Sequence, residues 1–115
     1  MNKLCKIRDI QRAVIKVEAD FENLYGISLN EGMVLCSLSE GRPLSSGELC
    51  ESLGISPSNT SKVIASVEKK GLVRRSLGRN DKRQMYFALT ASGAALIDSV
   101  EYDKLDIPEI IGRMI

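Results

Sequence analysis

Leu4, Ile7, Ile10, Val14, Val17, Phe21 and Leu24 recur at alternating steps of three and four, the period of a narrow, coiled-coil-like seam on a helix. The spacing predicts one long first helix, closed at Gly26. Its flanks carry Lys6, Arg8, Asp9, Arg12, Lys16, Glu18, Asp20 and Glu22, so the apolar stripe needs cover from the rest of the chain or from a second subunit. A short, mostly buried second helix is expected from Asn30, or from Ser28 if Ser28 and Glu31 form a capping box. It would carry Met33, Val34, Leu35 and Leu38 and stop near Gly41. Arg42-Pro43-Leu44 then reads as an extended connection, because a proline drives the residue before it out of the helical region.

Ser45 and Glu48 have the spacing of a capping box, opening a helix that ends at Gly54 with Leu49 and Leu53 on its core side. After only Gly54-Ile55, Ser56 is a good N-cap and Pro57 a good first helical residue, so another helix runs to about Lys70 and is stopped by Gly71. Two helices joined by so tight a turn form a helix-turn-helix. On the second of them Thr60, Val63, Ile64 and Val67 cluster on one side at ~100° per residue, which turns Ser58, Ser61, Lys62, Ala65 and Lys69 outward with Asn59 at the flank. Small outward side chains let a helix sit deep in a major groove. Serine hydroxyls can meet base edges, Asn59 can read adenine, and Lys62 can reach guanine or a phosphate. The plainer alternative is a serine-rich start that serves capping alone.

Leu72–Leu77 and Gln84–Leu89 are strand-like, the second alternating Met85, Phe87 and Leu89 onto one face. They bracket Gly78-Arg79-Asn80-Asp81-Lys82-Arg83, hairpin chemistry with a basic tip. This hairpin is the expected wing, with Arg79 and Lys82 as phosphate contacts. Strand alternation puts Arg74 and Arg75 on opposite faces. Thr90 caps a further helix carrying Ala94, Leu96, Ile97 and Val100, and Asp106 with Glu109 suggests a last capped turn holding Ile110, Ile111 and Met114. That terminal apolar cluster, with the first helix, is expected to pack against a partner subunit.

Composition narrows the picture. A length of 115 residues suits one domain, 1–115, and an aromatic content of 4% leaves an aliphatic core built mainly from helix faces. The expected fold is therefore mainly α with a small β-hairpin wing. The chain has no histidine, and its three cysteines, Cys5, Cys36 and Cys50, lie at wide spacings. Such a set gives neither a disulfide framework nor a zinc site, and no catalytic, metal or cofactor site is expected. Cys36 and Cys50, among apolar neighbours, are expected in the core. No apolar run approaches the ~20 residues of a membrane span, which points to a cytoplasmic protein without membrane association.

The formal net charge is only +1, yet Lys62, Lys69, Lys70, Arg74, Arg75, Arg79, Lys82 and Arg83 face only Glu68 and Asp81 between Ser56 and Met85. A basic block in an otherwise acidic chain is the footprint of a polyanion partner, since each neutralised phosphate releases a condensed counterion.

The series Gly71-Leu72-Val73-Arg74-Arg75, Asp81-Lys82-Arg83 and Leu89-Thr90-Ala91-Ser92-Gly93 resembles the signature of the MarR family of bacterial transcriptional regulators: a G-L-V start to the wing, a D-x-R at its tip, and L-T-x-x-G opening the next helix. Glu48-Leu49, Leu53-Gly54-Ile55-Ser56 and Val67-Glu68-Lys69-Lys70 are similar to that family's helix-turn-helix. The resemblance implies a winged helix-turn-helix core over 29–90 and a dimerisation region from helices in 1–25 and 91–115. It implies a homodimer on a pseudo-palindromic double-stranded DNA operator, with the 57–70 helices in major grooves and the 78–83 wings in minor grooves. It also makes Arg83 the side chain that enters the minor groove and Asp81 the carboxylate that orients it. The family's ligand pocket, between the dimerisation and DNA-binding parts, leaves room for a small-molecule effector of unspecified chemistry. Because the sequence stops at Ile115, the resemblance further implies a shortened C-terminal helix and a reduced or rearranged dimer interface. The expected function is transcription regulation through DNA binding, not enzymatic activity. The competing reading is a winged-helix protein-interaction module whose basic face meets an acidic partner.

Overall fold

The structure, a computed structural model, describes residues 2–78 and 83–115. The chain divides by contacts into two units, Met1–Leu29 with Glu101–Ile115, and Asn30–Val100.

The first unit is built on α1 (Lys3–Tyr25), the long helix that the seam predicts. The Asn2 side chain accepts the Leu4 N–H at 2.9 Å, and Gly26 closes the helix with φ of 74°, a left-handed conformation that suits a residue without Cβ. The seam is covered only in part. Phe21 is buried and Ile10, Val14 and Val17 half-buried, whereas Leu4, Ile7 and Leu24 are 71%, 52% and 46% exposed. Chain after Val100 returns to α1 through polar ties: the Glu101 N–H donates to the Tyr25 hydroxyl at 2.8 Å, and the Asp106 N–H donates to Asp20 Oδ2 at 2.8 Å.

A single 3₁₀ turn (Tyr102–Lys104) precedes the short α6 (Glu109–Gly112). The expected capping box of Asp106 and Glu109 does not form. Pro108 stands at the cap without a side-chain bond; the Asp106 N–H is taken by Asp20, and its carboxylate pairs with Lys16 at 3.4 Å.

The second unit holds α2 (Leu29–Leu38, which begins one residue before it), α3 (Ser46–Leu53), α4 (Pro57–Lys69) and α5 (Ala91–Asp98). Strands β1 (Leu44–Ser45), β2 (Val73–Leu77) and β3 (Met85–Leu89) form an antiparallel sheet in the order β1-β3-β2. The fold is mostly helical with a small sheet, as the sequence predicts. One correction concerns residues 42–44: the extended connection is also an edge strand, pairing Leu44 with Phe87 and Ser45 with Tyr86. Val34, Leu35, Leu38, Leu49, Ile64, Val67, Leu72, Val73 and Phe87 make the core, an aliphatic set in which each fully buried side chain contributes roughly 1.5–3 kcal/mol. Met33, expected inside, is 45% exposed, because the buried side of α2 runs through Glu31, Val34, Leu35 and Leu38 and Met33 lies opposite it.

Buried polar groups in this unit are satisfied. Glu31 lies only 5% exposed; its carboxylate accepts from Lys70 Nζ at 2.9 Å and from Ser66 Oγ at 2.8 Å, tying α2 to the last turns of α4. Thr60 donates its hydroxyl to the Ser56 carbonyl at 2.9 Å. Among the described residues no buried side-chain nitrogen or oxygen lacks a partner, so removing a partner here costs more than the bond itself contributes.

Candidate nucleic-acid interface

The interface is built from local signals that place α3 and α4 before any distant contact does. Ser45 Oγ accepts the Glu48 N–H at 3.1 Å while the Glu48 carboxylate accepts the Ser45 N–H at 3.0 Å, which is the reciprocal capping box. That bond, more than Arg42 nearby, holds the Glu48 carboxyl below its ordinary value. Gly54 ends α3 with φ of 68°, its N–H donating to the Cys50 carbonyl. Two residues later Ser56 Oγ accepts the Asn59 N–H at 3.1 Å and Pro57 occupies the first turn. The turn is as short as the sequence implies, and α4 starts with a capped N-terminus.

The faces of α4 divide as the 100° spacing predicts. Thr60, Ile64 and Val67 are buried and Val63 half-buried; Ser58, Asn59, Ser61, Lys62, Ala65 and Lys69 are all exposed. The exposed strip is narrow, polar and carries Lys62 and Lys69, neither of which makes an ion pair among the described residues.

The β2–β3 hairpin forms the wing stem, in register from Val73↔Leu89 to Leu77↔Met85, and the Gly78 N–H donates to the Gln84 carbonyl at 2.8 Å. Arg83 is exposed. The expected tip contacts Arg79, Asp81 and Lys82 lie outside the described residues. At the stem's base, Thr90 Oγ1 accepts the Gly93 N–H at 3.1 Å and donates to the Gly71 carbonyl at 2.6 Å. A Cβ on Gly93 would come within 2.0 Å of the Leu72 carbonyl oxygen, so the L-T-x-x-G spacing is a packing requirement that fastens α5 to the turn between α4 and β2.

The basic block is not uniform. Lys70 is committed to Glu31, and Arg75 to Glu68 through Nε at 2.6 Å and Nη2 at 2.7 Å. Arg75 also lies over the Phe87 ring, 5.7 Å from its centroid, whereas Arg74, paired in register with Ala88, is exposed. The two arginines therefore separate as alternation predicts. Sequence reasoning missed Glu31, although a signal exists: it shares the three-and-four spacing of Val34, Leu35 and Leu38, and a carboxylate on a buried stripe demands a cation.

Cys50 is half-buried and donates its thiol to the Ile55 carbonyl at 3.3 Å. Cys36, expected in the core, is exposed instead. It lines an open groove of about 530 Å³ with Ser37, Glu40, Arg42, Leu44, Glu48, Glu51 and Ser52.

A tight two-helix turn followed by a three-stranded sheet whose last two strands, β2 and β3, form a hairpin defines a winged helix-turn-helix protein. The MarR family model matches residues 27–85, and the chain belongs to that family. It is 30% identical over 107 residues to YwaE of Bacillus subtilis, described as an uncharacterized HTH-type transcriptional regulator, covering 91% of this chain and 63% of that protein. A mutant of Escherichia coli MarR, solved in complex with operator DNA, is 25% identical with a TM-score of 0.71, covering 84% of this chain and 67% of the other. The transcriptional regulator BldR of Sulfolobus solfataricus shares the fold at a TM-score of 0.75 and 23% identity, over 96% of this chain and 78% of its own. The chain spans less than two thirds of the length of the curated relatives it matches.

Proposed function

We propose that this protein is a sequence-specific regulator of transcription that binds double-stranded DNA as a homodimer, in the cytoplasm and without enzymatic activity. The observation that carries the reading is the narrow polar strip of α4 beside a projecting hairpin, in a family whose E. coli member has been solved on operator DNA. In this reading Ser58, Asn59 and Ser61 meet base edges in the major groove, and Lys62 reaches guanine or a phosphate. Arg79 and Lys82 neutralise phosphates, while Arg83, oriented by Asp81, enters the minor groove, where a guanidinium is favoured by the deeper negative potential of narrow A·T-rich tracts. The exposed Leu4, Ile7 and Leu24 of α1, with Met114 and Ile115, supply the apolar surface for a second subunit.

Binding of a labelled operator duplex followed against salt tests the reading. Affinity falls steeply as salt rises. Lys62→Ala lowers the slope by about 1 and Arg83→Ala costs about 1–3 kcal/mol, chiefly on A·T-rich flanks. A protein-interaction module with a basic face would show no such loss in a duplex assay, and that result would displace this function.

A further inference from the structure

The wing leaves the core abruptly. Leu72 and Val73 are buried at 8% and 3%, but every later residue of β2, from Arg74 to Leu77, is exposed. On β3 the last buried side chain toward the tip is Phe87; beyond it the paired Leu77 and Met85 are 55% and 38% exposed. Past the Arg75↔Phe87 pair, apolar packing no longer sets the hairpin's direction. A strand rises about 3.3 Å per residue, so a swing of about 10° at Val73 carries Leu77 sideways by about 2 Å. That is enough to spoil hydrogen-bond geometry at a groove.

A charged contact braces the hairpin at the base of this exposed stretch. Glu68 stands in the last turn of α4, and its two carboxylate oxygens receive Arg75 Nε and Nη2 at 2.6 and 2.7 Å. The fork is planar, so two parallel bonds fix orientation as well as distance. The Phe87 ring, 5.7 Å from the guanidinium carbon, supports it from the strand behind. We propose that Glu68 and Arg75 form a positioning bracket between the recognition helix and the wing, holding the hairpin at the angle that lets α4 and the wing engage adjacent grooves of one duplex together. The bracket rests on the DNA-binding reading and adds the coupling between its two contact elements. Arg75 is thereby a positioning residue, although its charge puts it among the basic residues of the block.

The test uses Glu68→Gln and Arg75→Lys in the full chain, with binding measured on two duplexes that share a core site and differ only in A·T-rich or G·C-rich flanks. Glu68→Gln removes a negative charge beside the DNA-facing surface. Electrostatics alone predicts equal or tighter binding. The bracket predicts the opposite: about 10-fold weaker binding to the A·T-flanked duplex, within about 2-fold of native on the G·C-flanked one, so that flank preference is lost. Arg75→Lys keeps the charge but not the fork, and gives the same loss. In both variants amide exchange at Leu77 and Met85 accelerates at least about 10-fold, while that of α4 and α5 stays native.

Retained flank preference in the two variants, or a loss shared equally by both duplexes, overturns the bracket. If Glu68→Gln fails to fold, Arg75→Lys alone decides. A native protein that binds neither duplex sinks the DNA-binding reading instead. The bracket is then judged by amide exchange, and unchanged exchange at Leu77 and Met85 refutes it.

Discussion

The unit formed by Asn30–Val100 and the unit formed by the two chain ends are finished to different degrees. The former buries a mainly aliphatic core, matches the deeply buried carboxylate of Glu31 with Lys70 and Ser66, and caps both helices of the helix-turn-helix. The latter has Ala13, Phe21 and Ile27 as its buried apolar residues, yet leaves Leu4, Ile7, Ile15, Leu24, Met114 and Ile115 between 46% and 75% exposed. Exposed apolar side chains in that number along one helix and one chain end are the surface on which the proposed dimer rests. A unit closed in itself suits a rigid reader of another molecule; one left open suits the joining of two copies.

The sharpest way to break that contrast is to open the closed unit. Leu35→Ala removes a side chain with no exposure, and a loss of about 2–5 kcal/mol is expected in urea unfolding. A loss under about 1 kcal/mol would mean that the core of this unit is not tightly packed. Gly93→Ala comes next. Its Cβ would meet the Leu72 carbonyl, backbone that cannot turn aside, and overpacking of this kind costs about 1–3 kcal/mol by the same measurement.

Acid gives a smaller effect in the same unit. Glu48 and Glu68 both titrate below the ordinary 4.5, the first chiefly through the Ser45 backbone N–H and the second chiefly through Arg75. A carboxyl depressed in the folded state stabilises fully above its unfolded value and loses that contribution as pH falls through its folded value. The capping box and the bracket therefore hold at neutral pH and weaken only below about pH 4.5. NMR titration of the two carboxyl carbons reads this directly, and midpoints above 4.5 would contradict the two contacts.

The smallest expected change in folding stability belongs to the open unit. Leu4→Ala with Ile7→Ala alters side chains already in solvent, so the melting of dilute monomer moves by less than about 0.5 kcal/mol per site. Sedimentation at higher concentration shows the pair's real effect as weaker self-association.

What the sequence made legible follows how far apart the determining residues lie. The turn between α3 and α4 is set by Ser45 with Glu48, Gly54, Ser56 and Pro57, all within a few positions, so local chemistry predicts both helices and the faces of α4. In sequence β1 looks like a plain connection, because its partner is Phe87, which no local pattern links to Leu44. The expected Asp106–Glu109 cap fails for the same reason, since Asp106 answers to Asp20, 86 positions away. The exposure of Cys36 and Met33 on α2 follows from a buried stripe, Glu31, Val34, Leu35 and Leu38, that includes a carboxylate and so does not stand out as apolar. Charge was legible as a total but not in its allocation: Lys70 and Arg75 read like Lys62 in sequence, and only the fold assigns them to Glu31 and Glu68.

Selection of bound sequences from a random duplex pool brings both units into one result. The proposed dimer, with a reader on each copy and α1 and the chain ends as its joint, predicts recovery of an inverted repeat with half-sites about 10 base pairs apart centre to centre, or a multiple of that turn. Recovery of a lone asymmetric site, or of no sequence at all, would contradict a paired reader built from this fold.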